Sequence, residues 1–282
     1  MPLTYAMIEP TSKCDRNCTL CLPGKMGRDM TSGEAKLVAE ELKGMGCVSV
    51  TLAGFGQARR SSVFSFLCHS LIESSEITVT VRPEDMFLSA KKMATRLNVS
   101  IENRNDAKET IVLVAGGSGC KSPFVPLFVP HIVLTKSMGD DLPVILNLLL
   151  VWQELFERIT VATPVALCED KKHRKAVRDA LVSKTVWTRL RKLAEKEPKL
   201  EIYDASPRAP TCRWPLSGVY IDSELYLRPC CYLPRGGVIF GVLGQGMTLK
   251  QIYNRNPWRE FRSNWKKGVH PDYCQRCPDN GR

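Results

Sequence analysis

The sequence predicts an α/β protein: a partial parallel barrel followed by a small C-terminal α+β unit. Three observations carry that expectation. Strand-like apolar stretches alternate with helical ones at intervals of roughly 25 to 35 residues as far as Ala162, the pattern of parallel βα units. Cys14, Cys18 and Cys21 follow directly on the first strand, at the end where a parallel barrel places its chemistry. A second group, Cys212, Cys230, Cys274 and Cys277, lies beyond a linker marked by Pro207 and Pro210. The boundary is therefore set near residue 205, with units at 1–204 and 205–282.

Taken in order, Thr4 to Ile8 reads as a strand running into the cysteine loop. Thr31-Ser-Gly-Glu34 has capping-box spacing, and Leu37, Val38, Leu42 and Met45 recur at helical intervals, so a helix is expected over about 32–45. A strand follows at Cys47–Leu52, then a Gly-rich turn and a helix from Ser61 to Glu73. Ile77–Val81 is the next strand, and Glu84–Leu97 the next helix, with Pro83 at its first turn. Asn98–Glu102 reads as a strand. The stretch 103–130 does not resolve into one pattern, although it holds an apolar run at Thr110–Ala115. Strand character returns at His131–Thr135, helix at Asp141–Phe156 and strand at Arg158–Ala162. A basic helical stretch over 171–197 is closed by Pro198. Val219–Leu227 reads as a hairpin, and Thr248 caps a helix continuing to Trp265.

The run Cys14-Asp-Arg-Asn-Cys18-Thr-Leu-Cys21 is the most informative. Three thiolates spaced x3 and x2 can wrap one face of a four-iron cube and leave its fourth iron without a protein ligand. Structural zinc needs four donors, usually offered as C-x2-C pairs, so this triplet suits it poorly. Free core thiols also fit badly beside Lys13, Asp15, Arg16 and Asn17.

That spacing resembles the radical S-adenosylmethionine (SAM) superfamily. The resemblance implies a partial TIM-like (β/α)6 barrel, a [4Fe-4S] cluster whose open iron takes SAM, and hydrogen abstraction by a 5'-deoxyadenosyl radical. It also implies cofactor contacts. Leu20 stands where the family usually has an aromatic residue against adenine. Gly54-Phe55-Gly56-Gln57 stands where Gly-Gly-Glu or Gly-Glu-Pro meets the amino group of SAM, so Gln57 keeps an acceptor oxygen without the charge. The third strand ends in Arg82-Pro83 in place of a Thr-Asn-Gly turn. Arg82 and Lys136, at strand ends, are candidate contacts to a polar substrate.

In the second group, Cys274-Gln-Arg-Cys277 is a turn that offers two thiolates to one metal. On spacing alone, zinc and an iron-sulfur cube fit equally. The order Cys, hairpin, Pro-Cys, helix, C-x-x-C resembles the twitch domain, a shortened SPASM domain, of radical SAM enzymes of the 2-deoxy-scyllo-inosamine dehydrogenase type. This implies an auxiliary [4Fe-4S] cluster held by Cys212, Cys230, Cys274 and Cys277, so that the chain carries two clusters. Cys231 is either a spare thiol or a replacement for Cys230, and Leu225 stands where the family hairpin has Gly.

Composition narrows the function class. Twelve cysteines and no signal peptide point to a reducing, cytoplasmic compartment. The apolar run at Leu142–Phe156 is interrupted by Asn147 and Gln153 and is shorter than the roughly 20 residues a membrane span needs. The net charge is +11, concentrated at 171–196 with ten Lys or Arg against two acids, and at 212–282 with eleven against five. These patches suit an acidic electron donor of flavodoxin or ferredoxin type. The stacking aromatics of a single-strand nucleic-acid binder are missing. The four His lack metal spacing, no Walker or dinucleotide loop is present, and no catalytic base stands out.

The expected activity is therefore two-electron oxidation of a polar small molecule, with the auxiliary cluster as electron acceptor. The alternatives are a peptide-modifying maturase, a redox-neutral isomerase or lyase, and a zinc-stabilised nucleic-acid-binding module. The nearness of Cys14 to the start leaves no room for a preceding peptide-recognition domain, which weighs against the maturase.

Overall fold

The computed structural model describes residues 2–14, 27–54, 57–83, 94–117, 127–139, 141–164, 171–203, 212, 214–230, 238–271 and 274. Among these, ten strands form one sheet in the order β10-β9-β8-β1-β2-β3-β4-β5-β6-β7. Seven consecutive parallel strands make the barrel wall: β1 (Tyr5–Ile8), β2 (Ser49–Leu52), β3 (Glu76–Val81), β4 (Arg96–Ile101), β5 (Leu127–Val133), β6 (Ile159–Ala162) and β7 (Leu200–Tyr203). The C-terminal segment extends this sheet. Its β8 (Gly218–Ile221) runs parallel to β1, and β9 (Tyr226–Arg228) and β10 (Gly241–Val242) follow antiparallel.

Each strand alternates between two faces, because successive side chains on a pleated strand point to opposite sides. Val50, Leu52, Ile77, Val79, Leu97, Val99, Ile132, Ile159 and Val161 fill the outer face and are buried beneath the helices. Each such side chain contributes on the order of 1.5–3 kcal/mol by leaving water. The inner positions are polar. Thr51, Thr78 and Arg96 lie in one register row, Thr80 pairs with Asn98, and Ser100, His131 and Thr160 form another row. A pocket at the N-terminal ends of the strands, opposite the cysteine loop, is lined by Tyr5, Ser49, Thr51, Thr78, Arg96, Asn98, Arg158 and Trp214. The barrel interior is thus suited to hydrogen-bonding a polar guest rather than to packing an apolar core.

The helices are α1 (Ser32–Gly44), α2 (Phe64–Leu71), α3 (Arg104–Gly117), α4 (Leu142–Val151), α5 (Lys171–Ala180), α6 (Lys184–Ala194), α7 (Trp214–Ser217), α8 (Leu249–Tyr253) and α9 (Asn256–Lys266). The capping box of α1 forms as its spacing predicts: the Glu34 amide donates to Thr31 Oγ1 at 3.2 Å and the Thr31 amide donates to Glu34 Oε2 at 2.8 Å. Thr248 and Gln251 make the same box at α8. Glu41 of α1 accepts from the Leu249 amide at 2.8 Å, joining the first barrel helix to the C-terminal unit.

Several expectations are corrected. Arg96 and Leu97, assigned from spacing to a helix, begin β4, while residues 84–93 lie outside the described set. The apolar run at Thr110–Ala115 is part of helix α3. The strand expected at 131–135 starts earlier, at Leu127, and the basic stretch is two helices rather than one. The single helix from Thr248 to Trp265 is likewise two, parted around Asn254. β7 was not expected at all; it is short, and Lys199 and Glu201 mask its alternation.

Candidate functional site

Parallel strands bring their C-terminal ends to one face, and of the residues singled out by sequence that face holds Cys14, Gly54, Gln57, Arg82 and Lys136. Beyond β1 come Glu9 and the segment leading to Cys14. Beyond β2 comes Gly54, beyond β3 Arg82, beyond β5 Lys136 and beyond β8 Ser223.

The base of the first cysteine loop is pinched by the chain returning antiparallel to itself. The Ser12 amide donates to the Arg28 carbonyl at 2.8 Å, the Arg28 amide to Ser12 Oγ at 3.0 Å, and the Met30 amide to the Pro10 carbonyl at 2.9 Å. Lys13 and Asp29 close the same neck with an ion pair at 3.0 Å. Burial works to raise the Asp29 carboxyl, but hydrogen bonds from Thr11 and Lys13 and the Lys13 charge outweigh it, so Asp29 stays below its ordinary range. Cys14 is half-buried at the top of this neck. Cys18, Leu20 and Cys21 lie outside the described residues.

The turn after β2 docks on that neck: the Gln57 amide donates to the Lys13 carbonyl at 3.1 Å. Gln57 Oε1 is buried and has no hydrogen-bond partner among the described residues. Gly54 has φ +146°, a conformation that side chains rarely adopt, and a Cβ on it would lie 2.5 Å from Glu9 Cγ. Gly56 lies outside the described residues. Arg82 donates to Glu102, beyond β4, at 2.6 Å, so its charge is already matched at the barrel mouth. Lys136 opens an exposed turn after β5, where its charge helps to lower the Asp179 carboxyl behind the hydrogen bond from Lys175.

In the C-terminal unit, Cys212, Cys230 and Cys274 are half-buried cysteines. Burial first, and then the charges of Cys230 and Cys212, push the Cys274 thiol strongly upward. Cys274 therefore senses the other two. Thiols this costly to ionise alone form a donor set that a cationic centre would favour, because metal binding holds thiolates deprotonated. Among the described residues no three His, Cys, Asp or Glu are gathered into a closed metal site. Cys277 and Cys231 lie outside that set. The thiol chemistry fits an iron-sulfur centre here. At the first loop, the neck, the half-buried Cys14 and the orphaned acceptor of Gln57 fit a cluster with a small amine-bearing ligand.

Leu225 has φ +66°, the only positive φ among the described non-Gly residues, at the hairpin position where sequence expected a Gly in the family. Its side chain is buried, which offsets the conformational cost of roughly 1 kcal/mol. Buried Arg228 pairs with Asp222 at 3.3 Å, two residues before Cys230.

Cys47 and Cys68 are buried, and burial pushes their thiols to about 11 and about 12. Because Cys68 is raised in the folded state, its contribution to stability is intact below its ordinary pKa and is lost as pH rises toward 12. At pH 8.5 its alkylation by iodoacetamide in the folded chain is expected to run at least about 100-fold slower than in urea, followed by peptide mass mapping. Cys120 and Cys168 lie outside the described residues.

Sequence reasoning missed Glu9, Tyr220 and the polar barrel rows. The rows had a signal in the i, i+2 spacing of Ser49 and Thr51, Thr78 and Thr80, and Asn98 and Ser100. Among the described residues no helix is long and apolar enough to cross a membrane.

Residues 212–278 match the SPASM family, an iron-sulfur cluster-binding domain. No curated protein matches the chain in sequence. Among solved structures, Streptococcus suis SuiB bound to precursor peptide SuiA aligns with a TM-score of 0.69 at 13% identity, covering 93% of this chain and 67% of that one. The protein anSMEcpe with bound AdoMet and Cp18Cys peptide aligns at 0.63 and 12% identity, covering 98% and 88%. BtrN in an open conformation aligns at 0.50 and 13%, covering 98% and 92%. At these identities the likeness is one of fold.

Proposed function

We propose that this chain, whose radical SAM fold carries a SPASM iron-sulfur domain at its C-terminal end, is a radical SAM oxidoreductase that removes two electrons from a polar small molecule. The cofactors that go with this fold and domain are [4Fe-4S] clusters and SAM. When bound, they supply a 5'-deoxyadenosyl radical for hydrogen abstraction and an acceptor for the electron left on the substrate. Cys14, Cys18 and Cys21 hold the first cluster, and Cys212, Cys230, Cys274 and Cys277 the auxiliary one. Leu20, Gly54, Gly56 and Gln57 receive SAM.

The observation that carries the reading is the polar inner face of the barrel. Hydroxyl and amide groups of Thr51, Thr78, Thr80, Asn98 and Ser100 project from adjacent strands into the barrel interior. A hydroxylated substrate exchanges water for these groups at little cost, whereas an apolar side chain would leave them unpaired. Arg82, held by Glu102, orients the substrate at the mouth, and Lys136 offers charge to an anionic group. Exposed Lys171, Lys172, Arg189 and Lys192 on α5 and α6 make a basic face for an acidic one-electron donor of flavodoxin or ferredoxin type.

A peptide substrate is the second reading, supported by the peptides bound to SuiB and anSMEcpe. Both are tested by incubating the anaerobically reconstituted chain with deuterated polyols and deuterated peptides. Deuterium transfer into 5'-deoxyadenosine from a polyol, with a ketone product, is expected. Transfer only from peptides would replace the first reading with the second.

A further inference from the structure

Glu9 stands just beyond β1, on the segment leading to Cys14, and is 2% exposed. A buried carboxylate is costly unless the fold orients and uses it. Here the orientation comes from the C-terminal unit. The Glu9 amide donates to the Ile221 carbonyl at 2.9 Å, the Tyr220 hydroxyl donates to Glu9 Oε2 at 2.7 Å, and Ser223 Oγ donates to Oε1 at 3.4 Å. Tyr220 and Ser223 are themselves almost fully buried. Both hydroxyls hold the carboxylate in a fixed orientation.

The carboxylate rests against the turn after β2. A Cβ on Gly54 would lie 2.6 Å from Glu9 Oε2, so the acid fills the space that a side chain at 54 would take. The same turn is tied to the cysteine loop through the Gln57 amide and the Lys13 carbonyl, and it carries the orphaned, buried Gln57 Oε1. One charged and one neutral acceptor thus border a single turn beside Cys14, in a chain that has an amide where a carboxylate is expected at 57.

We infer that Glu9 and Gln57 together receive the amino group of SAM, with Glu9 supplying the negative charge that Gln57 does not carry. The inference rests on the proposed SAM site. Through Tyr220 and Ser223, the hairpin of the SPASM unit then sets the affinity of a cofactor bound at the other end of the chain.

The test is equilibrium dialysis of the anaerobically reconstituted full chain against SAM and against its desamino analogue, the same sulfonium without the α-amino group. Glu9→Gln is expected to weaken SAM about 10- to 100-fold, the scale of a hydrogen bond to a charged group, and to leave the analogue within about twofold. Adding Gln57→Glu to Glu9→Gln should recover most of the lost affinity. Unchanged SAM binding in Glu9→Gln, or an equal loss for SAM and the analogue, overturns the inference, the latter because it marks a role in folding alone. If Glu9→Gln does not fold, Glu9→Asp, which retracts the carboxylate, is read by the same comparison. Wild-type protein with a loaded first cluster that binds neither compound overturns the SAM reading itself, a result visible before any variant is made.

Discussion

Cys14→Ala is expected to lower bound iron from about eight to about four per chain and to abolish formation of 5'-deoxyadenosine, because two remaining thiolates cannot hold a cube that already lacks one protein ligand. The fold should survive the change. The neck formed by Pro10 to Ser12 against Arg28 to Met30 is built from backbone hydrogen bonds and the Lys13–Asp29 pair, none of which uses the Cys14 sulfur. Iron analysis and product quantification on the same sample check both halves. Retention of eight irons with continued SAM cleavage would remove Cys14 from the ligand set.

Cys274→Ala should separate the two clusters. Its thiol is pushed up first by burial and then by the charges of Cys230 and Cys212, so the proposed auxiliary cluster would be what holds it as a thiolate. Iron should again fall to about four per chain. SAM cleavage should persist, while oxidised product per 5'-deoxyadenosine falls at least about 100-fold, because the substrate radical has lost its electron acceptor. Loss of one zinc with iron unchanged would instead identify the C-terminal centre as structural, and the proposed oxidation would need another acceptor.

What the sequence disclosed was local. Thr31 with Glu34 and Thr248 with Gln251 announce helix starts within four residues, and both boxes form. The outward strand positions alternate visibly, so most of the barrel was readable. Helix α3 was not, because its Ile111 to Val114 run is apolar and β-branched and resembles a strand. The competing signal was present in Asn103, whose Oδ1 accepts from the amides of Asn105 and Asp106 at 2.8 and 3.0 Å in the manner of an N-cap. Glu9 could not be read from its neighbours. A lone acid at the end of an apolar strand has no periodic signature, and its partners Tyr220 and Ser223 arrive more than 200 residues later. The cysteines at 212, 230 and 274 lie between these cases: spacing names the residues, and the fold brings Cys274 within electrostatic reach of the other two.

Because β1 lies between β2 and β8, this strand keeps one unpaired side until Gly218–Ile221 has been made. The nascent barrel therefore carries an open hydrogen-bonding edge beside the cysteine loop until the C-terminal segment pairs with it, an arrangement prone to mispairing. A chain ending before Gly218 would retain that edge permanently, so such a fragment is expected to aggregate rather than to act as a minimal enzyme.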